Sequence, residues 1–174
     1  MISLSLFLLA AGAVMANPSA ATNAKYTRQS GSIDIAAPID RVFPLFGPVR
    51  ESEWANDWAP DFIYQPAAEG GEGAVWRTKH DGVDQLWTLA RWDAKQHEVT
   101  YVTVVADQRL TRIDIRCTPA TSDKKRCEIA YAYTALGSKG EEFIAGYTAE
   151  KHQAKIAHWK QAISHLLTTG KRME

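Results

Sequence analysis

The sequence predicts an α+β domain built on an antiparallel sheet. Strand-like runs follow one another without intervening helices, which excludes the strand–helix alternation of a parallel sheet. One hairpin can be registered residue by residue from its own side chains. The C-terminal residues then change from a two-residue period to that of a helix.

The elements follow in order. Residues 32–37, Ser-Ile-Asp-Ile-Ala-Ala, alternate as a strand. Pro38 then stands where the first turn of a helix accepts it, and Ile39, Val42, Phe43 and Phe46 follow at helical spacing. Pro44 fits that helix poorly and shortens or kinks it, and Gly47-Pro48 ends it. A second short helix is predicted over 49–55, before Pro60. Six strands come next, over 62–65, 74–80, 85–92, 98–106, 109–118 and 126–136. Gly70-Gly71, Asp81-Gly82, Asp93-Ala94-Lys95, Asp107 and Thr121-Ser122-Asp123 separate them. From Gly140 onward, Ala145, Ala149, His152, Ile156, Trp159, Ile163 and Leu166 recur at alternating steps of four and three. That seam predicts one long helix, with Lys151, Lys155 and Lys160 on its solvated outer face. Gly170, beside Lys171 and Arg172, suits its C-terminus.

The hairpin register rests on the only two cysteines, Cys117 and Cys127. If they oppose each other, Ile115 meets Ile129, Ile113 meets Tyr131 and Thr111 meets Tyr133 on one face. The other face sets Arg116 opposite Glu128, with Asp114 and Arg112 outward. A slip of one residue would scramble both faces. Opposed cysteines in an exported chain predict a disulfide; in a reducing compartment they would be two small buried thiols.

Charge narrows the function. Twenty Lys and Arg balance twenty Asp and Glu. That balance argues against nucleic-acid binding, which needs a basic excess on one face. It argues equally against a polybasic membrane-surface protein. All forty charges lie beyond residue 24. Residues 2–16 are apolar or small, too short a run to span a bilayer but apt for a secretory signal. The expectation is a signal peptide and short flexible segment over 1–24, cleaved near Ala16 or Ala24, then a single domain over 25–174. The n-region lacks Lys and Arg, and no Cys follows to carry a lipid anchor. Location is therefore expected to be periplasmic or secreted, with no stable membrane anchor after cleavage; if Met15 is the true start, the protein is cytoplasmic.

The order of elements, with particular residues, resembles the START-like, Bet v 1-like superfamily (SRPBCC, polyketide cyclase/dehydrase-like). The matching segments are Ile33-Asp-Ile-Ala-Ala-Pro-Ile-Asp-Arg-Val-Phe43, Arg50-Glu-Ser-Glu-Trp-Ala-Asn-Asp-Trp-Ala-Pro60, Gly73-Ala-Val-Trp-Arg-Thr78 and Tyr131-Ala-Tyr-Thr-Ala-Leu-Gly137. Together they span residues ~28–168. The resemblance implies a helix-grip fold: a curved antiparallel sheet of seven strands wrapping a long C-terminal helix, with two short helices after the first strand. It also implies a cavity between helix and sheet for lipid-, sterol- or polyketide-like molecules. The superfamily is functionally broad, so the fold does not supply the function.

Candidate ligand contacts follow from parity and chemistry, because an aromatic with a polar handle can pack an apolar ligand and orient it. The hairpin turns Tyr131 and Tyr133 toward the helix, where Trp159 lies on the seam. Trp76, with Thr78 and His80, is expected on the concave face, leaving Arg77 and Lys79 outward. Trp54 and Trp58, four apart near the short helices, are candidates for the cavity mouth, and hinge packing explains them equally well. His152 lies on the seam; a satisfied core histidine is the commoner reading of such a position. His158 and His165 run beside the seam and make a poor metal site. Glu141 and Glu142 suit a helix's first turn. Glu51 and Glu53 could serve acid–base chemistry, with solvated surface charge as the default.

No Gly-x-Ser-x-Gly, HExxH, Walker or dinucleotide motif is present. The leading expectation is a monomeric carrier of a small hydrophobic ligand, with no catalytic residue assigned, no metal and no organic cofactor. The alternative is a cyclase, aromatase or hydratase using the same cavity, with Tyr131, Tyr133, His80 or His152 as proton donors. A third reading makes an exposed Trp54/Trp58 segment a docking site for a protein partner.

Overall fold

A computed structural model describes residues 25–80, 82–120 and 124–174. The expected signal segment, Asp81 and the turn Thr121-Ser122-Asp123 lie outside the described residues, as does the side chain of His80. Seven strands form one antiparallel sheet: β1 Tyr26–Ile35, β2 Asp61–Tyr64, β3 Val75–His80, β4 Val83–Asp93, β5 Glu98–Val105, β6 Arg109–Pro119 and β7 Lys125–Ala135. Their spatial order is β1-β7-β6-β5-β4-β3-β2, so each neighbour in sequence pairs as a hairpin except β1, which returns beside β7. The curved sheet wraps a C-terminal helix, with short helices after β1: this is the predicted helix-grip architecture.

The β6–β7 hairpin has the expected register. Cys117 pairs with Cys127, Ile115 with Ile129, Ile113 with Tyr131 and Thr111 with Tyr133, and the two cysteines are joined by a disulfide. Arg116 does stand opposite Glu128, but its ion pair reaches sideways to Glu98 on β5 at 3.4 Å. Arg112 and Asp114 pair with each other on the same convex face.

Three elements differ from expectation. β1 begins at Tyr26, six residues before the alternating run 32–37, because Gln29, Ser30, Gly31 and Ser32 interrupt the apolar pattern without interrupting its backbone pairing to β7. Gly31 leaves room there for side chains of the C-terminal helix. A Cβ at that position would lie 2.5 Å from Ile156 Cδ1, so the missing side chain lets the C-terminal helix cross β1 closely. The helix after Gly47-Pro48 is reduced to a 3₁₀ turn, Arg50–Glu53. The first is α1, Ile39–Val42, which continues as a 3₁₀ turn over Phe43–Phe46, because Pro44 lacks the donor an α-helix needs.

The single long helix is in fact two, α2 Ser138–Gly146 and α3 Ala149–Thr169. The break falls at Tyr147-Thr148, where Thr148 becomes the N-cap of α3 and its Oγ1 accepts from Lys151 N at 3.3 Å. The predicted seam therefore fails at its first two positions: Ala145 and Ala149 are exposed, and Ile144 and Tyr147 take their place in the core. From His152 on the seam holds, with His152, Ile156 and Ile163 buried. Gly170 ends α3 in the left-handed conformation, φ 69°, and its N–H bonds to Leu166 O at 2.8 Å. No helix among the described residues is long and apolar enough to cross a membrane.

Candidate ligand cavity

Strand alternation turns one side chain in two toward α3 and stacks them in rows across the sheet. One row runs Tyr133, Thr111, Thr103, Trp87, Trp76 and Phe62 from β7 to β2. The next runs Tyr131, Ile113, Tyr101 and Leu89. Between these rows, the Arg50–Glu53 turn with its flanking segment, and α3 lies a cavity of about 620 Å³. Trp54, Trp58, Tyr131, Tyr133 and Trp159 all line it, as do Glu51, Arg109, Phe143, Lys155 and His158.

The sequence candidates thus divide. Trp159 meets Tyr131 at 6.2 Å and Trp54 at 5.4 Å between ring centroids. Trp54 is buried and its indole N–H donates to Leu45 O at 2.7 Å; Trp58 donates to Pro48 O at 2.6 Å. These bonds fix both indoles as cavity wall, which corrects the reading of an exposed docking segment. Trp76 is fully buried behind the wall, stacked 6.0 Å from Trp87 and in edge contact with Trp58. Thr78 is concave, accepting from Trp87 Nε1 at 2.9 Å, while Arg77 and Lys79 point outward.

His152 is a satisfied core histidine and is not a lining residue. Its Nε2 faces the Ile129 carbonyl at 3.3 Å, which can only accept, so Nε2 carries the proton. Nδ1 then accepts from the Tyr147 hydroxyl at 3.1 Å. Burial holds its pKa below the ordinary histidine value, so the ring is neutral.

The cavity's polar groups give it its chemistry, and two of them, Lys155 and Arg109, are ones that sequence reasoning missed. Lys155 does not sit on the outer face of α3. Its ammonium lies over the Tyr131 ring at 4.5 Å from the centroid and 5.6 Å from that of Tyr147. Burial, reinforced by the nearby Arg109, pulls it down to about 8. Glu51, in the Arg50–Glu53 turn, borders the same space, and burial pushes its carboxyl up to about 8 against the pull of Lys155. Arg109 packs over the Phe143 ring at 4.2 Å. Thr103 and Thr111 line the cavity, but their hydroxyl oxygens are closed off from it and have no protein partner among the described residues. Burial raises the Tyr131 and Tyr133 hydroxyls far above their ordinary range, so both remain neutral donors. Among the described residues no group of His, Cys, Asp and Glu could hold a metal ion.

Comparison with solved structures identifies the architecture. Norcoclaurine synthase from Thalictrum flavum superposes with a TM-score of 0.61 at 14% identity, over 97% of this chain and 99% of that one. The Zhui aromatase/cyclase from Streptomyces sp. R1128 gives 0.61 at 10% identity, over 85% and 99%. Major latex-like protein 151 from Panax ginseng gives 0.59 at 14%, over 80% and 96%. The fold is Bet v 1-like. No family model and no curated protein matches the sequence. At these identities the Bet v 1-like likeness establishes the fold alone; the neighbours include a synthase solved with dopamine and hydroxybenzaldehyde and an aromatase/cyclase.

Proposed function

We propose that the protein is a carrier for a small, ring-bearing, largely apolar molecule held between the sheet and α3. The observation that carries this reading is a wall of aromatic rings, among them Trp54, Trp58, Trp87, Tyr131, Tyr133 and Trp159, facing about 620 Å³ of space between sheet and helix. The neighbours are consistent with this use, since the norcoclaurine synthase structure holds dopamine and hydroxybenzaldehyde. Export to an oxidising compartment belongs to the same proposal. The Cys117–Cys127 disulfide and the uncharged apolar residues at the amino terminus support it.

Glu51 and Lys155 favour one second reading. An acid and an amine that both titrate near 8 in one apolar cavity are suited to general acid–base work at neutral pH. In that cyclase-type reading they replace the tyrosines and histidines as the groups that move protons. Native mass spectrometry tests the carrier: gently purified protein incubated with 2-naphthol should show a one-to-one adduct, and protein that stays at the bare mass would refute it. Conversion of a bound ring compound, lost in Glu51→Gln while its binding persists, would establish the enzyme instead.

A further inference from the structure

We infer that the cavity contains a subsite for a single carboxylate, so that the guest is an aromatic or otherwise ring-bearing acid. This rests on the cavity-binding reading above and narrows it to a ligand class.

Arg109 and Lys155 both line the cavity, and neither forms an ion pair among the described residues. Arg109 reaches only its neighbour's Gln108 Oε1, at 3.4 Å. Each cation lies instead over an aromatic ring of one cluster. Phe143, under Arg109, is 5.0 Å from Tyr133 and 5.8 Å from Tyr147, and Tyr147 also underlies Lys155. The two charges are close enough for Arg109 to make the Lys155 ammonium easier to deprotonate. Two like charges held near one another in an apolar space are an arrangement that an anion between them relieves.

Arg109 shares strand β6 and its concave face with Thr111, which is paired across β5 to Thr103. Thr111 therefore lies on the strand that carries the arginine, with Thr103 beside it on β5. A carboxylate offers acceptors and no donors, matching a guanidinium and an ammonium that have no carboxylate partner of their own. Glu51, the carboxyl of the turn bordering this space, forms no ion pair with either cation among the described residues. Asp57 stands at the exposed rim with His158, outside the aromatic cluster. The surrounding rings supply the apolar part of the binding energy; the acid group supplies orientation.

Isothermal titration of 2-naphthoate against 2-naphthalenemethanol, near-equal in size and differing in charge, tests this at pH 7 and low salt. The acid should bind at least ten-fold more tightly. In Arg109→Gln/Lys155→Gln that advantage should shrink to less than about two-fold. Equal affinity of the two compounds for the wild-type protein would overturn the carboxylate subsite while leaving the cavity reading intact. An advantage that survives in the double variant would place the acid elsewhere and also overturn it. Failure of both compounds to bind would remove the cavity reading and this inference together.

Discussion

Glu51→Gln exchanges a buried acid for an amide of the same shape, and the structure fixes how stability should respond. In the fold the carboxyl holds its proton up to about 8, whereas in the unfolded chain it loses it near its ordinary value of 4.5. Between those values the folded state carries the extra proton, so unfolding releases it and stability falls as pH rises. Each decade of displacement corresponds to about 1.4 kcal/mol, which sets a ceiling of about 5 kcal/mol. Glu51 borders an open cavity and is not sealed from water, so screening reduces the expectation to about 2–3 kcal/mol. Lys155 acts in the opposite sense: its pKa drops from 10.5 to about 8 on folding, so its contribution rises between those values. Urea melts of wild type and Glu51→Gln at half-unit steps from pH 4.5 to 8.5 isolate the carboxyl. The variant should gain about 2–3 kcal/mol on the wild type across that window. Parallel curves would show that Glu51 is solvated and that the cavity has no buried acid.

Three further outcomes follow. Trp159→Ala removes a half-buried ring touching Phe46, Trp54 and Tyr131, and should cost about 2–3 kcal/mol in a denaturant melt; a loss under about 0.5 kcal/mol would place Trp159 at the surface. Non-reducing peptide mapping should recover residues 117 and 127 linked, and Cys117→Ala/Cys127→Ala should lose roughly 2–3 kcal/mol for so short a loop; unchanged stability would contradict a constraining bond. His152→Leu strands the Ile129 carbonyl and the Tyr147 hydroxyl and should cost about 2–4 kcal/mol, with ligand affinity moving less than about two-fold because His152 stands outside the cavity; a large affinity change would return it to the site.

The elements that could be read from sequence are those whose two faces differ. The β6–β7 register was legible because cysteine and isoleucine pairs alternate with charges, and only one alignment satisfies both faces. β1 was legible only at its end, since its pairing to β7 is made by backbone that Gln29, Ser30 and Ser32 do not advertise. The helix break was masked because Ala145 and Ala149 continue the apolar spacing across it, although Gly146 and the capping residue Thr148 signal it.

The aromatic wall was legible from strand parity, and its two cations were not. Lys155 stands three residues after His152 and four before Trp159, which puts it on the inward stripe; its charge alone argued for the outer face. Arg109 has the parity of Thr111 and Ile113, both concave, and was passed over for the same reason. In a core a charge would be expelled from such positions, but a cavity accommodates it over an aromatic ring.

The cavity is not the only sizeable hollow: a groove of about 580 Å³ on the convex face is lined by Arg28, Ser30, Thr100, Asp114 and Ala130. Methyl-resolved NMR during titration with 2-naphthoate separates the two and tests the central claim directly. Binding between sheet and α3 predicts that the methyls of Thr103, Thr111 and Ile113 shift together and saturate, while those of Thr100 and Ala130, on the opposite face, stay in place. Shifts confined to Thr100 and Ala130, with Thr103, Thr111 and Ile113 unmoved, would contradict it.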